Sequence, residues 1–83
     1  MGQYIDVHEG FIGVTQEQLE EAHRKDLEIE ASEGVRFGRW WADPTSGRVF
    51  CLSEAPSKEA VLRVHEKAGH APHEFHEVRL SGQ

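Results

Sequence analysis

The feature that most restricts the fold of this chain is the order in which strand-like and helix-like segments follow one another. Residues 3–8 alternate in character from one position to the next, as expected for a half-buried strand. Thr15 followed by Gln18 forms a capping box, which predicts a helix that runs to Gly34, where glycine permits the left-handed stop. The chain is therefore predicted to begin with one strand and one long helix.

The second half of the chain predicts a hairpin, a second helix and a last strand. Two β-rich runs, at 35–43 and 48–54, flank a short segment that contains a proline and a glycine, as in a hairpin turn. Ser57 is a suitable N-cap for a helix that ends at Gly69, and a strand at 75–80 follows. The predicted order of elements is βαββαβ.

This order is the split βαβ arrangement of a ferredoxin-like α+β sandwich, in which both helices cover one face of an antiparallel sheet. The other face is left bare, and the aromatic residues Phe37, Trp40 and Trp41 lie on one hairpin strand beside it. A wide apolar patch is typical of an interface, and a chain of 83 residues buries only a modest core. We therefore expect residues 1–83 to form a single domain that makes a homodimer through its sheet.

The charge of the chain limits its partners. Fifteen acidic and nine basic residues give a net charge of -6, which opposes binding to nucleic acid or to an anionic membrane surface. No apolar run approaches the roughly 18 residues of a membrane helix, and the first residues lack the pattern of a signal peptide. These features predict a cytoplasmic protein that favours divalent metal ions as partners.

Six histidines carry the strongest chemical signal, because imidazole is the commonest side-chain ligand of transition metals. In the predicted fold, the end of the first strand lies beside the start of the last strand, and the second helix ends nearby. Five histidines are thereby brought to one end of the molecule. The predicted metal ligands at this end are His8, His65, His70, His73 and His76.

Carboxylates and the cysteine add further candidates and one exclusion. Asp6 lies two residues before His8 on the same strand face, about 7 Å along the strand, so both can converge on one ion. His23 and Asp26 lie three apart on the first helix, where they form either a ligand pair or a structural hydrogen-bonded pair. Each histidine also has a simpler interpretation as a packed or solvated side chain.

Cys51 falls in an apolar strand, where we expect a buried and inert thiol rather than a nucleophile.

Several longer strings carry a family resemblance: Ala22-His23-x-x-Asp26-Leu27, Gly34-Val35-Arg36-Phe37, Trp41-Ala42-Asp43-Pro44-x-x-Gly47-x-Val49-Phe50-Cys51-Leu52-Ser53-Glu54-Ala55-Pro56, and Glu59-Ala60-Val61-x-x-Val64-His65-x-x-Ala68-Gly69-His70. In these strings the chain resembles the small ferredoxin-like nickel-binding proteins of actinobacteria. The resemblance implies a dimeric protein that binds Ni²⁺ at surface sites. It also implies a role in nickel response, buffering or storage rather than in catalysis.

Two other functions compete with this one. The chain could be a small dimeric α+β barrel enzyme, of the monooxygenase or haem-binding type, with the strand of Trp40 and Trp41 lining a pocket. Its size argues against this, since 83 residues leave little room for a pocket of about 300 Å³ or more in one subunit. A plain interaction module with incidental histidines is the third possibility.

Overall fold

The structure, a computed structural model, describes residues 1–83 and contains four strands and two helices. These elements follow the predicted order along the chain. They are β1 Gly2–His8, α1 Gln16–Glu33, β2 Arg36–Asp43, β3 Arg48–Ala55, α2 Lys58–Ala68 and β4 Glu74–Val78.

Both helices begin and end at the predicted capping residues. The hydroxyl of Thr15 accepts a hydrogen bond from the backbone N–H of Gln18, whose side chain accepts one in return from the backbone N–H of Thr15. The hydroxyl of Ser57 accepts a hydrogen bond from a backbone N–H in the first turn of α2. Gly34 and Gly69 end the two helices in the left-handed conformation, which glycine adopts without a Cβ clash.

The strands form one sheet in the order β2-β3-β1-β4, and all neighbouring strands are antiparallel. With both helices against one face, this is the ferredoxin-like sandwich that the sequence predicts. The last strand is shorter than expected, since it ends at Val78 rather than at residue 80. Neither helix is long and apolar enough to cross a membrane.

The sheet face beneath the helices carries both apolar and ionisable residues. Strand β1 contributes Tyr4, Asp6 and His8 to this face, and all three are buried. Cys51 of β3 is the cross-strand partner of Asp6 and therefore lies on the same face. The apolar core divides into two clusters, one of Tyr4, Val35, Ala55, Ala60, Val61 and Val64, the other of Leu19, Val49 and Cys51.

The placement of the hairpin aromatics differs from the prediction. Phe37 packs against the first apolar cluster and Trp40 against the second, so both lie on the helix-covered face. Only Trp41, which pairs with Phe50, lies on the bare face, where 44% of it is exposed. A bulge between Phe37 and Trp40 inserts one extra residue into β2 and puts these two on the same face, while Trp41, the residue after Trp40, points to the other face.

Candidate metal centre

Four elements bring ionisable side chains together at one end of the helix-covered face. His8 is the last residue of β1, Asp26 lies in α1, and His65 lies in the last turn of α2. His70 follows Gly69, and its backbone N–H donates to the His65 carbonyl at 3.0 Å, which folds it back over the helix end. The ring centroids of the three histidines are 4.9 to 5.6 Å apart, so their imidazoles form one compact group.

Asp6 lies at the centre of this group and is fully buried. Its Oδ1 lies 2.7 Å from Nε2 of His8 and its Oδ2 lies 2.9 Å from Nε2 of His65. Because an ionised carboxylate only accepts, both Nε2 atoms carry the hydrogens. Burial alone would raise the pKa of Asp6, but the hydrogen bonds from His65 and His8 outweigh it and lower that pKa below its usual 3.8. Asp6 is therefore a buried carboxylate that fixes the tautomer of two imidazoles.

A second carboxylate, Asp26, faces the other side of His65. Its Oδ1 lies 3.3 Å from Nδ1 of His65 and 3.6 Å from Nε2 of His70. These three atoms are buried, and none has a hydrogen-bond partner. Buried polar atoms are almost always satisfied, so three unsatisfied ones in contact indicate a place for a proton on His65 or for a metal ion.

The charge states of the two histidines differ. Burial lowers the pKa of His65, but interactions with Asp26 and Asp6 outweigh it and raise that pKa from 6.5 to about 9. Burial lowers the pKa of His70 below 6.5, against the attraction of Asp26. At neutral pH and without metal, His65 is therefore the cation that compensates the two carboxylates, and His70 is neutral with a lone pair available to a metal.

A small cavity adjoins the cluster on the side of α1. Its volume is about 30 Å³, enough for roughly one water molecule, and both His8 and His70 line it. His23 also lines the cavity, and its buried Nδ1 has no hydrogen-bond partner. Cys51 is a further lining residue. Burial, reinforced by the charges of Asp6 and Asp26, raises the pKa of its thiol well above the usual range.

The structure separates His73 and His76 from this cluster. Nδ1 of His73 accepts a hydrogen bond from the backbone N–H of Glu9 at 3.2 Å, and the residue is exposed. His76 pairs across the sheet with Ile5 and thus lies on the bare face, where its Nε2 is 3.3 Å from a Glu74 carboxylate oxygen. A spacing of three residues therefore does not bring these two to His70, because the strand β4 begins between them.

Cys51 is a candidate ligand that the sequence did not predict. Cys51, Asp6 and His8 each offer a ligand atom, and these atoms lie within 4.8 Å of one another. The relevant signal is the register of β1 on β3, which pairs Asp6 with Cys51. That register cannot be read from the local sequence around a single cysteine in an apolar strand.

The donors of the cluster suit a divalent transition metal. His8, His65 and His70 offer ligand atoms within 4.8 Å of one another, and carboxylates lie beside them. Imidazole nitrogen with carboxylate oxygen is a donor set that nickel, copper, zinc and iron all accept. Fold and site together define a ferredoxin-like α+β protein with a buried histidine and carboxylate cluster that fits a divalent metal ion.

Comparison with known proteins gives the family. Residues 4–78 match a family described as nickel responsive protein, SCO4226-like, and the chain belongs to that family. It is similar to the crystal structure of SCO4226 from Streptomyces coelicolor A3(2), with 55% identity and a TM-score of 0.94. The similarity covers 96% of this chain and 99% of that one. No curated protein matches the chain significantly. The predicted resemblance to an actinobacterial nickel family is thereby confirmed.

Proposed function

We propose that this protein binds Ni²⁺ at the buried cluster and serves in nickel response, buffering or storage. The proposal rests on three buried atoms that lie close together and have no hydrogen-bond partner: Nδ1 of His65, Nε2 of His70 and Oδ1 of Asp26. A divalent ion would satisfy all three, and His8 lies within reach as a further ligand. The description of the family as nickel responsive favours nickel over the other ions that accept this donor set.

Asp6 would support the site without binding the ion. A metal-bound imidazole usually donates its other N–H to a carboxylate, which orients the ring and strengthens it as a ligand. Asp6 already accepts the hydrogen from Nε2 of His65 at 2.9 Å, and this leaves Nδ1 of His65 to face the ion. The arrangement needs no movement of β1 or α2.

Binding rather than catalysis fits the surroundings of the site. The side chain of His70 is 23% exposed, while those of His65 and Asp6 are fully buried, so solvent reaches the cluster mainly at His70. The ion would displace the proton from His65, whose pKa is raised to about 9. Affinity that depends on pH in this way suits the buffering of an ion.

Calorimetric titration of the metal-free protein with Ni²⁺, Co²⁺, Zn²⁺ and Cu²⁺ tests the proposal. We expect stoichiometric Ni²⁺ binding near pH 7.5 that weakens sharply near pH 5.5, because proton competition for His65, whose pKa is about 9, grows with every unit by which the pH falls. His70→Ala should weaken binding by at least about tenfold, since even an outer hydrogen-bond partner is worth roughly 10- to 100-fold. His76→Ala is the matched control, because His76 lies on the opposite face of the sheet.

Two results would contradict this assignment. Equal loss of affinity in His70→Ala and His76→Ala would mean that the ion binds elsewhere. Unchanged affinity in His70→Ala with loss in His73→Ala or His76→Ala would move the site to the exposed histidines that the sequence also predicts as ligands.

The homodimer is a second part of the proposal. The bare face of the sheet presents Ile5, Phe50 and Leu52, with Trp41 beside them, and no helix of the chain covers it. A second copy with the same face would bury this apolar surface.

Sedimentation of two lysine variants tests the dimer. We expect Trp41→Lys to shift the protein toward a monomer. Leu27→Lys should leave its size unchanged, because Leu27 lies on α1 and is 43% exposed, much like Trp41 at 44%. A monomeric wild-type protein would exclude the proposed dimer.

The two remaining predictions concern catalysis and location. A haem or monooxygenase role has no support from the cavity beside His8 and His70, whose 30 Å³ is far below the roughly 300 Å³ of an organic ligand site. The groove along Trp40 and Trp41 is larger, about 540 Å³, but His23 is the only histidine that lines it. We infer that the protein is not an enzyme, and a haem titration without a spectral shift is the expected result. The cytoplasmic location stays a prediction that cell fractionation tests.

A further inference from the structure

The nickel site proposed above makes no use of Cys51. Cys51 is the chain's only cysteine, it is 7% exposed, and it lies on the helix-covered face of β3. Its sulfur lies in a group with one ligand atom each from Asp6 and His8, all within 4.8 Å of one another. Cys51 packs with Leu19 and Val49, but it also lies beside a buried carboxylate and an imidazole, which apolar packing alone does not require.

A small cavity with mostly apolar walls lies next to the sulfur. Cys51 and His8 line the cavity of about 30 Å³ together with Asp26. Asp26 is 3% exposed, and its Oδ1 has no hydrogen-bond partner. This oxygen faces His65 and His70, and the negative charge of Asp26, together with that of Asp6, favours a cation beside the sulfur.

We propose that Asp6, His8 and Cys51 form a second metal site, selective for thiophilic ions such as Cu⁺, Zn²⁺ or Cd²⁺. One sulfur, one nitrogen and one oxygen donor suit these softer ions better than the histidine group does. Binding forms a sulfur–metal bond and releases the thiol proton to solvent, and no electrons are transferred. The positive ion also offsets the charges of Asp6 and Asp26.

The two sites share His8, which links their occupancy. Nickel at His65 and His70 and a thiophilic ion at Cys51 would each draw on the same imidazole. A thiophilic ion is therefore expected to lower the affinity for nickel. This gives a nickel responsive protein a route by which a competing metal is sensed. The existence of the thiophilic site does not depend on nickel binding, although this competition does.

Titration with Cd²⁺ tests the site, because cadmium thiolates absorb in the ultraviolet. Since Cys51 is the only cysteine, any thiolate-to-metal band of the wild-type protein arises from it. We expect a band that saturates at one equivalent. It should be absent in both Cys51→Ser and Cys51→Ala, with circular dichroism used to confirm that each variant is folded.

Two histidine variants separate this site from a bare thiol and from the nickel site. His8→Ala should weaken Cd²⁺ binding by at least about tenfold. His70→Ala should leave the cadmium band unchanged while it weakens nickel binding. The proposal would be overturned if the wild-type protein shows no band, or if His8→Ala binds Cd²⁺ as tightly as the wild-type protein does. Failure of His70→Ala to affect nickel would refute only the nickel assignment.

Discussion

Replacement of Asp6 by asparagine tests whether one buried carboxylate holds the cluster together. Asp6 is fully buried and accepts hydrogen bonds from His8 at 2.7 Å and from His65 at 2.9 Å. Asparagine has the same shape, but its single carbonyl oxygen can accept from only one imidazole, and the charge opposite His65 is lost. Loss of one partner of a buried ion pair costs about 3–5 kcal/mol, a large part of a total stability of roughly 5–15 kcal/mol.

The loss should depend on pH in a definite direction. The pKa of His65 is raised to about 9, so His65 is charged near neutral pH and neutral well above pH 9. When His65 is neutral, the asparagine variant loses only hydrogen bonding, which costs about 1–2 kcal/mol. We therefore expect the effect of Asp6→Asn on the free energy of unfolding to be larger near pH 7 than above pH 9.

Urea denaturation followed by tryptophan fluorescence, with a chelator present, measures this difference at the two pH values. Glu74→Gln is the matched control, because Glu74 pairs with His76 at 3.3 Å on the exposed face and should matter little. A cost for Asp6→Asn no larger than that for Glu74→Gln would refute the central role of Asp6. An equal cost at both pH values would refute the charged state of His65.

Three further changes test the acid–base chemistry and the turns. The metal-free protein should lose on the order of 3 kcal/mol of stability as the pH rises from about 6.5 to about 9. Protonated His65 stabilises the fold, and this contribution is complete below the pKa of His65 in the unfolded chain and is lost as the pH rises through its raised pKa in the folded protein. A free energy of unfolding that does not change with pH in denaturant titrations would contradict this. Gly47→Ala should cost roughly 1–3 kcal/mol in the same assay, since Gly47 has a φ of +78° and a Cβ there would lie 2.8 Å from the backbone nitrogen of Ile12. Gly10→Ala, with a φ of +91° and nothing within 4 Å, is its control and should cost less. Thr15→Ala removes the capping box and should lower thermal stability by about 0.5–2 kcal/mol, and an unchanged melting temperature would exclude that contribution.

The ends of the elements were predictable because their signals are local. Thr15 with Gln18 and the glycines Gly34 and Gly69 act within one turn of the chain, so the sequence states both the start and the stop of each helix. The bulge in β2 was not predictable in the same way. Nothing local to Gly38 shows that the register on β3 shifts there, so the sequence did not indicate that Phe37 and Trp40 share the helix-covered face.

The candidate site was likewise predictable from the sequence only in part. His8, His65, His70 and Asp6 were predicted as ligands at one end of the fold, because residue type and topology indicate that they share it. Asp26 was predicted only as a partner of His23, in either a ligand pair or a structural pair, and the structure brings it to His65 and His70. The sequence could not separate this group from His73 and His76, because the start of β4 decides that His76 lies on the opposite face.

The sequence by itself determined the order of the elements, their caps and the residue types that could bind a metal, because these depend on near neighbours along the chain. Only the tertiary structure decided which of those side chains meet. The register of β1 on β3 places Asp6 beside Cys51, the packing of α2 brings His65 to Asp6, and the packing of α1 brings Asp26 to the other side of His65. Such contacts join residues as far as 59 positions apart, so they depend on strand pairing and helix packing.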